Sequence, residues 1–140
     1  MNLKIADLMA KRVITAQKHH TVDHVRGLME RNRINAVPVV GDGGEALGIV
    51  TSTDLARRVK GESPVTRVMT DGVTTVPAYN DVSVAARIMR KRKIHHVVIT
   101  HEKKVAGMIS SFDLLKLVEG KRFTMKNAPK AERKGKRKKS

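Results

Sequence analysis

The sequence contains no cysteine and no tryptophan among its 140 residues, and its aromatic residues are only Tyr79, Phe112 and Phe123. Without cysteine the chain cannot form disulfides, use a thiol nucleophile or bind zinc through thiolates, and this absence fits a reducing compartment. Hydrophobic residues nevertheless make up 40% of the chain. The core must therefore be aliphatic, with seven methionines available to fill irregular gaps.

The sequence also lacks the patterns of membrane proteins and of common enzyme sites. No stretch approaches the roughly 20 apolar residues of a membrane span, and the start has no apolar run typical of a signal peptide. We therefore expect a soluble, cytoplasmic protein with no membrane partner. There is no G-x-x-x-x-G-K phosphate loop, no dinucleotide fingerprint, no nucleophile elbow and no carboxylate pair suited to acid–base chemistry. We predict that the chain is not an enzyme.

Two histidines, His20 and His24, have the spacing of metal ligands on one helix. Thr21 is a good helix N-cap, however, and a cap at this position places His20 outside the helix. No third ligand is evident in the sequence. We therefore predict no metal site.

Acidic residues are scarce, since 13 Asp and Glu face 29 Lys and Arg and the net charge is +16. The excess is uneven, because residues 121–140 hold ten lysines and arginines against Glu132 alone and carry a net charge of +9. The first 120 residues carry the remaining +7. Both parts would attract polyanions. Residues 121–140 have too few apolar side chains to fold alone, so we predict a disordered basic C-terminal tail.

The sequence is an internal repeat. Residues 8–40 match residues 68–100 at a constant offset of 60, which pairs Met9 with Met69. One residue is then lost, and "GIVTSTDLARRV" at 48–59 matches "GMISSFDLLKLV" at 107–118 at an offset of 59. A unit of about 60 residues is marginal alone, so we expect two units that share a core. The predicted divisions are a first repeat at 1–61, a second at 62–120 and the tail at 121–140.

Both repeats predict the same order of elements. A short extended segment, at 13–15 or 73–76, precedes a helix capped by Thr21 in the first copy and by Asp81 or Asn80 in the second. The apolar stripes of these helices are Val22, Val25, Leu28 and Met29, and Val82, Ala85, Ile88 and Met89. Two strands joined by a turn follow, at 36–40 and 47–51 or at 97–100 and 105–110, and a closing helix begins near Ser52 or Ser111. The predicted order is β-α-β-β-α, twice.

These features occur together in one known family. With its paired "GIVTSTD" and "GMISSFD" segments, its "AVPVV" strand and the "LM" and "VIT" openings of its repeats, the chain resembles a tandem pair of CBS domains, often called a Bateman module. The resemblance implies an α/β (α+β) fold in which two β-α-β-β-α repeats pack through their sheets with pseudo-twofold symmetry. It also implies two clefts between the repeats, adenosine nucleotides as ligands and a homodimer.

The repeated motif places an aspartate and a hydroxyl at the same positions in both copies. Asp54 and Asp113 suit a ribose, because a carboxylate can accept hydrogen bonds from two adjacent hydroxyls. Thr51 and Ser110 stand where a strand gives way to a helix, and their hydroxyls could donate to a phosphate, which favours a helix N-terminus. The same spacing also fits a capping box, which stabilises the first helical turn without any ligand. The sequence leaves both interpretations open.

The two repeats differ in the strand before this motif. In the first, Val37 and Pro38 could form an apolar slot for adenine. The second has Val98 where the proline would be, and offers His95 and His96, at a position where related modules place histidine or arginine against phosphate. The alternative for the two histidines is a half-buried pair that flanks a strand.

Near the start of each repeat, Thr15 and Thr75 resemble positions that bond the base or the ribose. Strand propensity alone would also explain a threonine at these positions. Both residues are therefore included in the predicted nucleotide site as candidates.

We predict a non-catalytic regulatory module that binds ATP, ADP or AMP in one or both clefts, with no tightly bound cofactor. The nucleotide would act by changing the module's conformation or its contacts with a partner. The alternative is a nucleic-acid-binding protein in which the basic tail and the basic body hold the polyanion and the CBS pair is a dimeric platform. The tail could also bind an acidic protein.

Overall fold

The computed structural model describes residues 3–120 of the chain. Within these residues, helices and two separate β-sheets form a mixed fold, which confirms the predicted α/β (α+β) class. The predicted basic tail, 121–140, lies outside the described residues.

The predicted order of elements is confirmed in both halves. Helix α1 (Ile5–Leu8) comes first, and the first repeat continues with β1 (Ala16–Gln17), α2 (Val22–Asn32), β2 (Ala36–Val40), β3 (Ala46–Thr51) and α3 (Ser52–Leu55). A 3-10 turn at Val65–Arg67 and strand β4 (Thr70–Asp71) connect the halves. The second repeat contains β5 (Thr75–Pro77), α4 (Val82–Arg92), β6 (His96–His101), β7 (Lys104–Ser110), α5 (Ser111–Leu114) and a 3-10 turn at Leu115–Leu117.

Each repeat has its long helix where the apolar stripe predicts one. The Oγ1 of Thr21 accepts a hydrogen bond from the backbone N–H of His24 at 3.0 Å, and a carboxylate oxygen of Asp81 accepts one from Ser83 N–H at 2.9 Å. These contacts satisfy amides that a helix start leaves without partners. Both helices end at a residue in the left-handed conformation, Arg33 with φ of 54° and Lys93 with φ of 56°.

The stripe residues form the core of each repeat. Val22, Val25 and Met29 of α2 pack with Val37, Val39 and Val50 in one aliphatic cluster. Val82, Ala85 and Met89 of α4 pack with Val97, Ile99 and Ile109 in the other. In β2 and β6, every second residue therefore faces the long helix of its repeat. The residues that alternate with these, such as Pro38 and Val98, are buried on the other face of the sheet.

The opening segment of each repeat packs on the other repeat, which the sequence did not predict. Ala10 N–H donates to Met108 O at 2.9 Å, and Met108 N–H donates to Ala10 O at 3.1 Å. In the same way, β4 pairs antiparallel with β3 and aligns Thr70 with Ile49. Ile5 is accordingly fully buried in the cluster of the second repeat, and Val65 in that of the first.

Two glycines of the repeated motif allow this exchange, in which the opening segment of each repeat packs on the other repeat. A Cβ on Gly107 would lie 2.5 Å from Met9 Sδ and 2.9 Å from the carbonyl oxygen of Ala10. A Cβ on Gly48 would lie 2.7 Å from Met69 Sδ, and a backbone oxygen is almost as close. The missing side chains are therefore required by the approach of another backbone segment.

The close contact at Gly107 gives a stability prediction. Gly107→Ala should lower the free energy of unfolding by about 1–3 kcal/mol, because the backbone at Ala10 must shift to admit the methyl group. Thermal or urea unfolding followed by circular dichroism measures this change.

The matched control is Gly27→Ala, in the interior of α2, where the nearest atom to the new Cβ is the far end of the Arg31 side chain. A flexible side chain can move, so this variant should be as stable as the wild type or more stable by up to about 1 kcal/mol. A Gly107→Ala variant that unfolds like wild type would contradict the account of the exchange.

Candidate functional site

Two of the clefts between the repeats are lined by residues of the repeated motif. The Ser110 cleft has a volume of about 670 Å³ and is lined by Ala10, Arg33, Ile34, Asn35, Ala36, His95, His96, Met108, Ser110, Ser111, Phe112 and Asp113. The Thr51 cleft has a volume of about 380 Å³ and is lined by Asn35, Ile49, Thr51, Ser52, Thr53, Thr70, Gly72, Val73, Thr74, Ile94, His95 and His96. Each cleft takes residues from both halves of the chain.

The two clefts occupy equivalent places in the fold. Exchanging the repeats converts Ser110 into Thr51 and Met108 into Ile49, at the offset of 59. It also converts Ala10 into Thr70, at the offset of 60. The exchanged opening segments therefore supply one wall of each cleft, and the strand that ends in the repeated motif supplies another.

The repeated Thr/Ser-x-x-Asp motif forms a capping box in both copies. A single oxygen of Asp113, Oδ2, accepts from the N–H of Ser110 at 2.9 Å and from its hydroxyl at 3.1 Å, and Ser110 Oγ accepts from Asp113 N–H at 3.1 Å. Asp54 Oδ2 accepts from Thr51 N–H at 2.9 Å and from Thr51 Oγ1 at 3.2 Å. The capping interpretation is thus confirmed. Because the cap uses Oδ2, it leaves the second carboxylate oxygen for another partner.

The two aspartates differ in their position relative to the clefts. Asp113 is one of the residues that line the Ser110 cleft, and its Oδ1 lies 3.8 Å from Lys116 Nζ. Asp54 is half-buried and does not line the Thr51 cleft, although its capping partner Thr51 does. Of these two clefts, the larger is at the motif of the second repeat.

The two predicted histidines line both clefts. His95 is exposed, with Nδ1 3.3 Å from Ser111 Oγ, and His96 is half-buried at the start of β6. Burial lowers the pKa of His96 below its ordinary value, and neighbouring His95 lowers it further, while Asp113 acts in the opposite direction. His96 is therefore neutral near pH 7, where it offers a ligand one donor and one acceptor. The contact of His95 and His96 with phosphate remains a prediction.

Four other predicted residues do not line either cleft. Val37 is fully buried in the first core cluster, and Pro38 is buried within β2, so neither is exposed in either cleft and the adenine slot stays a prediction. Thr15 is half-buried just before β1. Thr75 is exposed and lines a third cleft of about 570 Å³, which Glu45 of the first repeat and the hairpin of β6 and β7 also border. Neighbouring side chains of a strand face opposite sides of the sheet, which explains why residues predicted from the sequence do not line the clefts.

The lining residues that the sequence did not predict include Thr74, Asn35 and Arg33. Thr74, next to the predicted Thr75, lines the Thr51 cleft and its Oγ1 accepts a hydrogen bond from Arg92 Nη1 at 2.8 Å. Asn35 lines both clefts, and Arg33 lines the Ser110 cleft. The repeat could have indicated Asn35, because it corresponds to His95 at the offset of 60.

His20 and His24, the pair with the spacing of metal ligands, do not lie on one helix. As predicted, His20 precedes the first residue of α2, and its ring stacks on that of His24 with centroids 4.1 Å apart. Within residues 3–120, no group of three or more histidines and carboxylates is placed to hold a metal ion. None of the helices in this part of the chain has the length and apolar character needed to cross a bilayer.

Comparison with known proteins points to one family. The model of the CBS domain matches the chain twice, at residues 5–61 and 65–120. The CBS domain pair of protein MJ0100, solved in complex with 5′-methylthioadenosine and S-adenosyl-L-methionine, is 27% identical, with a TM-score of 0.80 over 87% of this chain and 100% of that one. A conserved protein from Pyrococcus horikoshii is 26% identical, with a TM-score of 0.77 over 89% and 98% of the two chains.

Curated relatives are longer than this chain. A homoserine O-acetyltransferase from Methanosalsum zhilinae is 30% identical over 125 residues, which are 88% of this chain and 25% of the relative. The protein MJ1404 from Methanocaldococcus jannaschii is 28% identical over 133 residues, which are 82% of this chain and 32% of the relative. The chain thus spans about a quarter to a third of the length of these relatives.

The pKa of His96 predicts how stability depends on pH. Because the folded chain lowers this pKa, the unfolded chain takes up the proton more readily, and stability should fall as the pH drops below the ordinary value of 6.5. Urea unfolding at about pH 7.5 and about pH 5 should show a smaller loss in His96→Gln than in wild type.

The control is Thr100→Ser, in the same strand, which changes no titratable group and should retain the wild-type pH dependence. His20, whose pKa burial also lowers, with smaller effects from His24 and His19, would add to the loss in every variant. An equal loss in wild type and His96→Gln would show that His96 is not desolvated as described.

Proposed function

The chain belongs to the CBS domain family, and we propose that it is a non-catalytic regulatory module that binds adenosine nucleotides, ATP, ADP or AMP, between its two repeats. The CBS pair of MJ0100, which covers 87% of this chain at 27% identity, was solved with two adenosine derivatives, and this supports an adenosine ligand here. The named nucleotides and the regulatory consequence are part of the proposal.

The observation that carries the proposal is the position of Asp113. Its carboxylate is held by the Ser110 cap through Oδ2, while the residue lines a cleft of about 670 Å³, a size that accepts a small-molecule ligand. A capped carboxylate cannot swing away, so it is oriented before any ligand binds. In the proposed complex, Oδ1 accepts hydrogen bonds from the two ribose hydroxyls.

The rest of the Ser110 cleft suits the other parts of a nucleotide. Ile34, Ala36 and Met108 supply apolar surface for a purine ring, whose edge can be matched by backbone groups of the adjoining strands. The guanidinium of Arg33 and the ring of His95 supply donors for a phosphate. Every part of the ligand therefore has a partner of suitable chemistry in one cleft.

A bound nucleotide would act on the arrangement of the repeats. The Ser110 cleft is lined by Arg33 and Ala36 from one repeat and by His96 and Asp113 from the other. A ligand that contacts both sides favours the relative orientation to which it binds more tightly, and this shifts the population of states. Contacts with a partner could respond to that shift.

The proposed assembly is a homodimer. Phe112, Leu115 and Val118, at or just after α5, are 72%, 58% and 49% exposed. Large apolar side chains at helical spacing on one surface favour association with another protein surface. Phe112 also lines the Ser110 cleft, so this surface adjoins the proposed ligand.

Replacing one atom of Asp113 separates its two roles. Asp113→Asn keeps an oxygen that can accept from Ser110, so stability should fall by about 1 kcal/mol or less. It removes the second acceptor, so binding of AMP in the Ser110 cleft should weaken about tenfold or more. Titration calorimetry measures the affinity, and thermal unfolding measures the cap.

Two controls accompany this variant. Asp81→Asn changes the N-cap residue of α4. Because Asp81 lines neither cleft, this variant should leave the affinity for AMP unchanged. Asp54→Asn should have a smaller effect than Asp113→Asn, because Asp54 does not line the Thr51 cleft. If Asp113→Asn binds AMP like wild type and only unfolds more easily, Asp113 is a capping residue alone.

The alternative, binding to nucleic acid, is favoured by the charge of the sequence. Residues 121–140 carry +9 of the net +16. If they hold a polyanion, deletion of 121–140 should abolish retention of the chain on RNA or DNA at about 0.1 M salt and leave AMP binding intact. If the full chain shows no salt-dependent retention, or if the deletion leaves retention unchanged, the tail does not perform this role.

A further inference from the structure

The two clefts are equivalent in position but differ in charge. The lining of the Ser110 cleft includes one basic residue, Arg33, and one acidic residue, Asp113. The residues that line the Thr51 cleft, all within the described part of the chain, include no Lys, Arg, Asp or Glu. His95 and His96 line both clefts and therefore do not distinguish them. The difference rests on Arg33 and Asp113.

Arg33 reaches its cleft whereas its counterpart in the repeat does not. Arg33 and Lys93 end α2 and α4 with nearly the same left-handed backbone, at φ of 54° and 56°. Lys93 instead borders a groove with Met89 and Leu114, which adjoins the Thr51 cleft at Ile94 and His95. The repeat thus supplies a cationic residue at the same backbone position twice, but only Arg33 is part of the lining of one of the two clefts.

The Thr51 cleft is lined by uncharged groups. Hydroxyls of Thr51, Thr53 and Thr70 stand beside the apolar side chains of Ile49 and Val73. Arg92 is nearby, but its Nη1 donates to Thr74 Oγ1 at 2.8 Å and the residue does not line the cleft. An anion that enters would lose water without gaining a charged partner from the lining, which is unfavourable.

The two clefts also differ in volume. The Ser110 cleft, at about 670 Å³, is larger than the Thr51 cleft, at about 380 Å³. A phosphorylated nucleoside needs more room than an unphosphorylated one. It also needs a cation, and a planar guanidinium can donate two parallel hydrogen bonds to a phosphate.

We propose that the two clefts of this chain divide adenosine ligands by charge. The Ser110 cleft takes a phosphorylated adenosine, with Arg33 as the residue that selects the phosphate. The Thr51 cleft takes an uncharged adenosine derivative. This division rests on the proposed function, and it makes the module a sensor of two chemically distinct ligands at once.

The test uses the full chain and two probes, AMP and 5′-methylthioadenosine, in titration calorimetry at about 0.15 M salt. Arg33→Gln should weaken AMP binding about tenfold or more and leave the affinity for 5′-methylthioadenosine unchanged. Saturation with 5′-methylthioadenosine should leave the AMP titration of the wild type intact, because the two ligands occupy different clefts.

Lys93→Gln is the matched control, because it removes the same charge from the same helix position without changing a cleft. It should bind both probes like wild type, and equal unfolding temperatures would show that both variants fold. Equal effects of the two substitutions on AMP, equal weakening of both probes by Arg33→Gln, or competition between the probes would each overturn the division by charge. If the wild type binds neither probe, the proposed function itself fails.

Discussion

The fold depends on a contact between backbones of the two repeats. The segment that opens each repeat leaves its own half and lies against the motif strand of the other, where Gly48 and Gly107 have no side chain to keep it away. This exchange buries Ile5 in the second core cluster and Val65 in the first. A repeat that could not bury enough apolar surface alone is thereby completed by its neighbour. The same contact forms a wall of each cleft, so stability and the candidate site share one cause.

The repeated hydroxyl and aspartate also combine two roles. Asp113 Oδ2 is engaged by Ser110, which stabilises the turn into α5 and fixes the carboxylate at the border of the Ser110 cleft. Capping and ligand binding are therefore not exclusive interpretations of this motif. A carboxylate has two oxygens, and a cap that occupies one prepares the other. Asp54 has the same cap but does not line the Thr51 cleft, so the cap by itself does not decide which of the two carboxylates borders a cleft.

The sequence predicts elements well where a local pattern specifies them. Thr21 and Asp81 cap helices, and three of the four stripe residues that follow each cap are buried, with Leu28 and Ile88 partly buried against them. It predicts poorly what depends on contacts between the halves. The pairing of Ala10 with Met108 and of β4 with β3 has no local signal, because it joins residues distant in the chain. The site shows the same limit. Thr15 and Thr75 were candidates because they resemble base- or ribose-bonding positions of the family, and Pro38 because it could form an apolar slot, while which face of a strand meets a cleft is set by packing.

The central claim is that the space between the repeats is shaped for an adenosine ligand held by Asp113. The most direct measurement is a crystal structure of the chain grown with AMP. The account predicts electron density for the nucleotide in the Ser110 cleft, with both ribose hydroxyls within hydrogen-bond distance of the Asp113 carboxylate. Density for AMP at another surface, or a cleft that stays closed to AMP at saturating concentration, would contradict it.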